Sequence, residues 1–345
     1  MKPACCARAT DNVVSVTWQH PFNNAGPPTL EETLLDTRKS LDGRAVGLML
    51  LLCLLWGLQQ SVLKLVADDI TPLMHIALRS GIAAVLVGLF MLWQREGLAL
   101  GNGSWRPGLL VGVLFALEFL LVGQALRLTS ASHTVVFLYT APIFVALGLH
   151  FMLPAERLNG VQWCGITLAF AGIVVTFFGR SQPAAANAVL PAHMLWGDLL
   201  ALLGGMAWGA TTVVVRCSSL ARVSASQTLL YQLVAAFVLL LGAAAVLGQT
   251  HINPTPVMWS ALAFQSIVVS FISFLVWFWL LRHYLASQLG VFSFVTPLFG
   301  VAFGIWLLNE PLEMSFVLGA LLVLAGVVLV TNHAWFQARL GRKAA

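Results

Sequence analysis

The chain has 345 residues, 59% hydrophobic and only 9% charged, with a mean hydropathy of +0.89 and a net charge of +5. Soluble domains carry roughly 25% charged residues, so a soluble fold cannot hide this much apolar surface, and the partner is a lipid bilayer. The positive balance is no nucleic-acid signal, because no basic cluster is interleaved with aromatics.

Residues 1–43 are polar and irregular, with PFNNAGPP and EETLLDTRKS, and lack the short apolar run of a signal peptide. They are expected to form a disordered cytosolic extension. Apolar segments follow at 44–66, 72–93, 107–127, 132–153, 159–179, 195–217, 225–248, 257–281, 287–308 and 315–332. Each is close to the length of about 20 residues that spans a bilayer as a helix. The expected fold is therefore all-α, a polytopic membrane protein of ten transmembrane helices.

The stretch from Gln124 to Phe177 recurs from Trp279 onward. At a constant offset Arg127 matches Arg282, Ala131 Ala286, Ser132 Ser287, Phe137 Phe292 and Pro142 Pro297. After one deleted residue Glu156 matches Glu310, Gly165 Gly319, and Ala171-Gly172 Ala325-Gly326. Trp56-Gly57 and Lys64 are echoed by Trp208-Gly209 and Arg216. This ordered series indicates duplication. It gives a first five-helix repeat at 44–180, a loop at 181–194, a second five-helix repeat at 195–332 and a cytosolic tail at 333–345.

Basic residues set the orientation. With a cytoplasmic N-terminus, fourteen of the eighteen Lys and Arg residues fall in the tails and cytoplasmic loops. Lys64, Arg127 and Arg180 face the other side, and Arg79 lies within a helix. Both termini are thus expected in the cytoplasm, the membrane being a bacterial inner membrane. An odd helix count per repeat inverts the second copy, an architecture that suits alternating access.

Ionisable side chains at membrane depth cost about 2.5–3.5 kcal/mol on insertion scales and tend to face a cavity or a partner. Glu118 lies mid-helix in LLVGVLFALEFLLVGQAL, and its counterpart in the second repeat is Ser273. It can bind a cationic group or carry a coupling proton, or it can pair structurally with a basic residue. Arg79 shares a helix face with His75; it can neutralise a substrate anion, pair with Glu118, or snorkel. Trp56, Gln60 and Lys64 form one stripe on the first helix, with Leu63 expected to face lipid, and Lys64 is near enough to the helix end to snorkel.

Ser266, Ser270, Ser273 and Trp277 share one face of the eighth helix at α-helical spacing, with Gln265 off that face. The hydroxyls suit either interhelical bonds or a wet lining. Tyr139 can present a hydroxyl beside Pro142. Pro142 and its counterpart Pro297 are expected to kink their helices, and paired breaks point to a central site in inverted-repeat transporters. His133 and His150 are read as interfacial residues at helix ends. The five cysteines are scattered, with no disulfide or metal spacing, and no metal or other cofactor is expected.

The order LLWG followed by Lys64, ALRSGIAA, QALRLTSAS leading into VVFLYTAPIF, then ERLNGVQWCGITLAFAGIVV with its echo NEPLEMSFVLGALLVLAGVVLV, resembles the drug/metabolite transporter superfamily in its EamA branch. The resemblance covers about 44–332. It implies ten helices in two inverted five-helix repeats around a central cavity. It also implies export or exchange of small metabolites such as amino acids, often coupled to protons. The family pattern falls on Trp56-Gly57, Lys64 and Arg79; Glu118 rests on burial alone. The resemblance names neither one substrate nor an oligomeric state. A membrane-embedded enzyme is the first alternative, but the chain carries no HExxH motif and no Ser-His or paired-Asp constellation at membrane depth. A non-transporting scaffold subunit is the second.

Overall fold

A computed structural model describes residues 42–98, 103–152, 158–178, 191–284, 295–312 and 314–331. The expected extension at 1–43 (apart from its last two residues), most of the loop at 181–194 and the tail at 333–345 lie outside the described residues. The described helices are α1 (Gly43–Leu65), α2 (Pro72–Trp93), α3 (Trp105–Leu128), α4 (Ala131–Leu138), α5 (Ala141–Met152), α6 (Gly160–Phe178), α7 (Pro191–Cys217), α8 (Ala225–Val246), α9 (Pro256–Ala263), α10 (Phe274–His283), α11 (Val295–Leu308) and α12 (Met314–Thr331). A π-helical stretch, Phe264–Ser273, joins α9 to α10.

Local chemistry sets the helix starts. The Asp42 carboxylate caps α1 by accepting the Ala45 N–H at 2.8 Å. Ser130, Ser224 and Thr255 cap α4, α8 and α9 in the same way. Pro72 and Pro256 occupy first turns, where a missing N–H costs nothing.

Seven helical spans are long and apolar enough to cross a membrane, and three shorter apolar helices, Gly160–Thr176, Val295–Leu308 and Met314–Leu329, complete ten among the described residues. Two spans are composite: α4 runs into α5, and α9 into the π stretch and α10. The outward surface is apolar, with Val85 62% and Leu89 57% exposed, as lipid contact requires. Exposed tryptophans sit near helix ends, Trp93 and Trp105 at one end and Trp196, Trp259 and Trp306 at the other. This is the arrangement of aromatic belts at membrane interfaces.

The packing shows how the duplication is used. The strongest contacts join the two halves: α6 with α12, α3 with α7 and α8, α2 with α8, α11 with α1, and α5 with α7. A Cβ on Gly172 would lie 2.6 Å from the carbonyl oxygen of Gly319. A Cβ on Gly326 would run into the carbonyl oxygen of Gly165. Gly319 is the repeat counterpart of Gly165, and Gly326 that of Gly172, so the two contacts are one contact made twice. Such reciprocity is the signature of a two-fold relation, here within one chain. Gly108 and Gly112 similarly admit Tyr231 and Ala235, and Gly205 and Gly209 admit the α4–α5 segment.

Candidate functional site

Residues from both halves meet near the middle of the bundle. Trp56 on α1 donates its Nε1–H to the Ser273 hydroxyl at 2.9 Å, and Ser273 donates in turn to the Val269 carbonyl at 2.5 Å. The Trp56 ring meets Trp277 edge-on at 5.6 Å and lies 6.3 Å from Phe274. Ser266 donates to the Leu262 carbonyl, so two of the three serine hydroxyls bond back onto their own helix. Ser270 is buried beside them. Gln60 is buried, with Oε1 lacking a hydrogen-bond partner. Leu63, expected against lipid, is fully buried. The protein-facing side of α1 is wider than the polar stripe, and an apolar residue reads alike whether it meets helix or lipid.

Arg79 on α2 is 3% exposed. Its Nη1 donates to Gln265 Oε1 at 2.7 Å and to Gln59 Oε1 at 3.1 Å. The guanidinium carbon lies 4.6 Å from the centre of the Phe119 ring, a cation–π distance. Gln265 Nε2 donates to the Gln59 backbone carbonyl at 2.7 Å, which fixes the direction of its amide. Gln265 is therefore not off the face, as α-helical spacing had it. Gln265, Ser266, Val269, Ser270 and Ser273 of the π stretch are all buried together, a face wider than the serine stripe. Gln59 and Gln265 are the residues sequence reasoning missed, the second because the serine stripe covers only part of that buried face.

Glu118 on α3 is 5% exposed, and its Oε2 has no hydrogen-bond partner. No ion pair within 4 Å joins it to Arg79, and the two groups act on each other only through space. Tyr139 ends α4, is 7% exposed, and meets Trp208 of α7 edge-on at 5.3 Å. Just after it the helix breaks at Tyr139-Thr140 and resumes at Ala141, with Pro142 in the first turn of α5, where proline does no damage. Pro297 is buried in the first described turn of α11; the residues before that turn lie outside the described set.

A second polar cluster closes one end of the bundle. Lys64 does not snorkel outward: its Nζ donates to the Thr129 carbonyl. The Thr129 hydroxyl donates to Asp198 Oδ1 at 2.5 Å. Asp198 also holds His133 Nδ1 at 3.0 Å, and the His133 ring stacks on Phe316 at 4.0 Å. His133 is thus 4% exposed, not interfacial, because a neighbouring helix supplies the carboxylate that makes its burial tolerable. At the same end Asp69 accepts from Asn253 and Thr255, and Ile70 pairs with Ile252.

Among the described residues no three His, Cys, Asp or Glu side chains group closely enough to hold a metal ion. The arrangement offers a buried cation held by amides, a buried carboxyl with an unpartnered oxygen, and aromatic walls.

The sequence model of the EamA-like transporter family matches residues 43–178 and 195–332. The chain is 26% identical over 281 residues to "Uncharacterized transporter YoaV" of Bacillus subtilis, covering 81% of this chain and 93% of that protein. It is 25% identical over 304 residues to "Probable amino-acid metabolite efflux pump" of Escherichia coli, covering 84% and 96%. A solved crystal structure at 22% identity and TM-score 0.56, covering 84% of this chain and 98% of that one, shares the fold.

Proposed function

The chain belongs to the EamA-like transporter family, and on that premise we propose that it is a secondary transporter that exports or exchanges a small metabolite, an amino acid or related compound, by alternating access. The observation that carries this reading is the polar cluster between the halves. Trp56, Gln59 and Arg79 come from the first repeat, as does Glu118, which acts on Arg79 through space, and Gln265, Ser273 and Trp277 come from the second. A site at a repeat interface is exposed in turn to either side when the repeats rock.

In this reading Arg79 takes an anionic group of the solute and Glu118 takes its cationic group or the coupling proton. Trp56, Tyr139 and the Ser270 and Ser273 face form the walls, with Gln60 beside them. Lys64 works at the end that closes. The break at Tyr139-Thr140, just before Pro142, lets the half-helices α4 and α5 move, and Pro297 is taken to mark the corresponding hinge of the second repeat. Both termini lie in the cytoplasm of a bacterial cell with the protein in its inner membrane, so the latched end faces outside.

The test is flux. Purified protein in liposomes, given a panel of labelled amino acids with and without a pH gradient, should exchange at least one of them above protein-free vesicles. A panel that moves at the rate of the empty vesicles removes the reading.

A further inference from the structure

A buried arginine is normally paired with an acid, and a candidate acid is at hand in Glu118. Yet Arg79 spends its strongest contacts on two neutral amides. Nη1 is held by Gln265 Oε1 at 2.7 Å and Gln59 Oε1 at 3.1 Å, while Nε is buried with no partner. The amides supply oxygen acceptors without supplying negative charge, and Glu118 acts on Arg79 only through space, with no hydrogen bond or ion pair between them. Gln265 is itself held, through Nε2 and the Gln59 carbonyl. Its Oε1 must therefore face the guanidinium, since the other end of the amide is engaged. Phe119 supports the guanidinium from one side at 4.6 Å.

We propose that Gln265 is a positioning residue that holds Arg79 as a cation with no acid in contact, reserved for a carboxylate or similar singly charged anionic group on the solute. Gln265 lies in the first turn of the π-helical stretch Phe264–Ser273, on its buried face. The proposal rests on the transport reading above and sharpens it. An acid at position 265 would occupy Arg79 permanently. A glutamine holds it in position and leaves the charge free for a ligand.

The experiment compares wild type with Gln265→Glu and Gln265→Leu, using the purified full chain in detergent. Thermal-shift titrations are run with phenylpropionate, phenylalanine and phenylethylamine, probes whose ring suits the Trp56, Phe119 and Trp277 walls and which differ in charge. Wild type should be stabilised by at least one of the two carboxylate probes. In Gln265→Glu the apparent affinity for that probe should fall by about tenfold or more, while phenylethylamine binding holds or strengthens. In Gln265→Leu the carboxylate preference should also fall, because the guanidinium is no longer aimed. Equal weakening for acid and amine probes would mean a merely structural role and overturns the proposal. So does undiminished carboxylate binding in Gln265→Glu, or a wild type stabilised by neither carboxylate. Absence of solute flux in liposomes is a separate result and bears on the transport reading instead.

Discussion

The Ser132 hydroxyl donates to the carboxylate of Glu310 at 2.6 Å, and the same carboxylate accepts the N–H groups of Ala131 and Ser132 at 2.6 and 3.0 Å. A carboxylate of the second half thus caps a half-helix of the first, at the terminus where the helix dipole favours negative charge. Glu310→Gln keeps the shape but turns an NH2 group toward donors. The expected loss is about 1–3 kcal/mol, seen as a lower Tm. A cysteine placed at Ser270 should then react faster with an impermeant maleimide added outside. Equal labelling rates would show that Glu310 does not help to close this end.

His133 and Asp198 form the second bond of that closure, both almost fully buried. His133→Leu should destabilise by about 1–3 kcal/mol, the cost of removing one buried hydrogen-bond partner. Asp198→Leu should cost as much or more, since Asp198 also holds the Thr129 hydroxyl. The double variant should lose less than the two single losses added, because their mutual hydrogen bond is then counted only once. A thermal double-mutant cycle reads this directly, and simple additivity would count against a coupled pair.

At the opposite end, the Ala45 N–H and then the Tyr284 hydroxyl, 3.0 Å away, hold the Asp42 carboxyl below its ordinary value of 3.8. A carboxyl lowered in the folded state contributes fully above its ordinary pKa, and that contribution fades as pH falls through the lowered one. The first turn of α1 should therefore fray only in acid, below about pH 4. Amide exchange at Ala45, corrected for intrinsic rates, should rise there and stay flat near neutrality. Asp42→Asn, an equally good cap, should abolish the pH dependence.

The glycine contact between α6 and α12 carries a sharper expectation. A Cβ on Gly319 would stand 2.7 Å from the Gly172 carbonyl oxygen, which is backbone and cannot swing aside. Gly319→Val should cost about 1–3 kcal/mol or more and cut the folded yield. Gly47→Ala, where nothing lies within 4 Å, should be neutral or mildly stabilising, because alanine is the better helix former. Matching yields for the two would mean that the halves pack less tightly than the reciprocal contact requires.

The spans and the duplication were legible because both are written in local composition and in order along the chain. Gly165, Gly172, Gly319 and Gly326 could be matched by sequence, and their mutual contact is what makes the match physical. Trp56 and Ser273 were each legible as members of a polar stripe at α-helical spacing, and the bond between them comes from the fold. Gln265 was not legible as a partner of Arg79, since it lies beside the narrow serine stripe and its partners, Gln59 and Arg79, are far along the chain. His133 and Glu310 were not legible as a closure, because each depends on partners far along the chain. Leu63 was misplaced because burial by protein and burial by lipid select the same side chain.

Glu118 carries the last prediction. Its Oε2 is unpartnered and the residue is 5% exposed, while Arg79 is committed to Gln59 and Gln265. A carboxyl in that position can gain and lose a proton as the site opens to one side and then the other. Glu118→Gln imitates the protonated form. Because no ion pair with Arg79 is broken, the variant should keep wild-type expression and Tm. It should also keep exchange of solute between equal pools. What it should lose is uphill accumulation driven by a pH gradient in liposomes. If the Glu118 charge instead supported Arg79 at longer range, Glu118→Gln would fold poorly, and adding Arg79→Gln would restore the yield. The two accounts differ in a quantity measured before any transport assay. A Glu118→Gln protein that folds well and still accumulates solute against the gradient would sink the proton role, and the buried carboxyl would then be left to the cationic group of the solute.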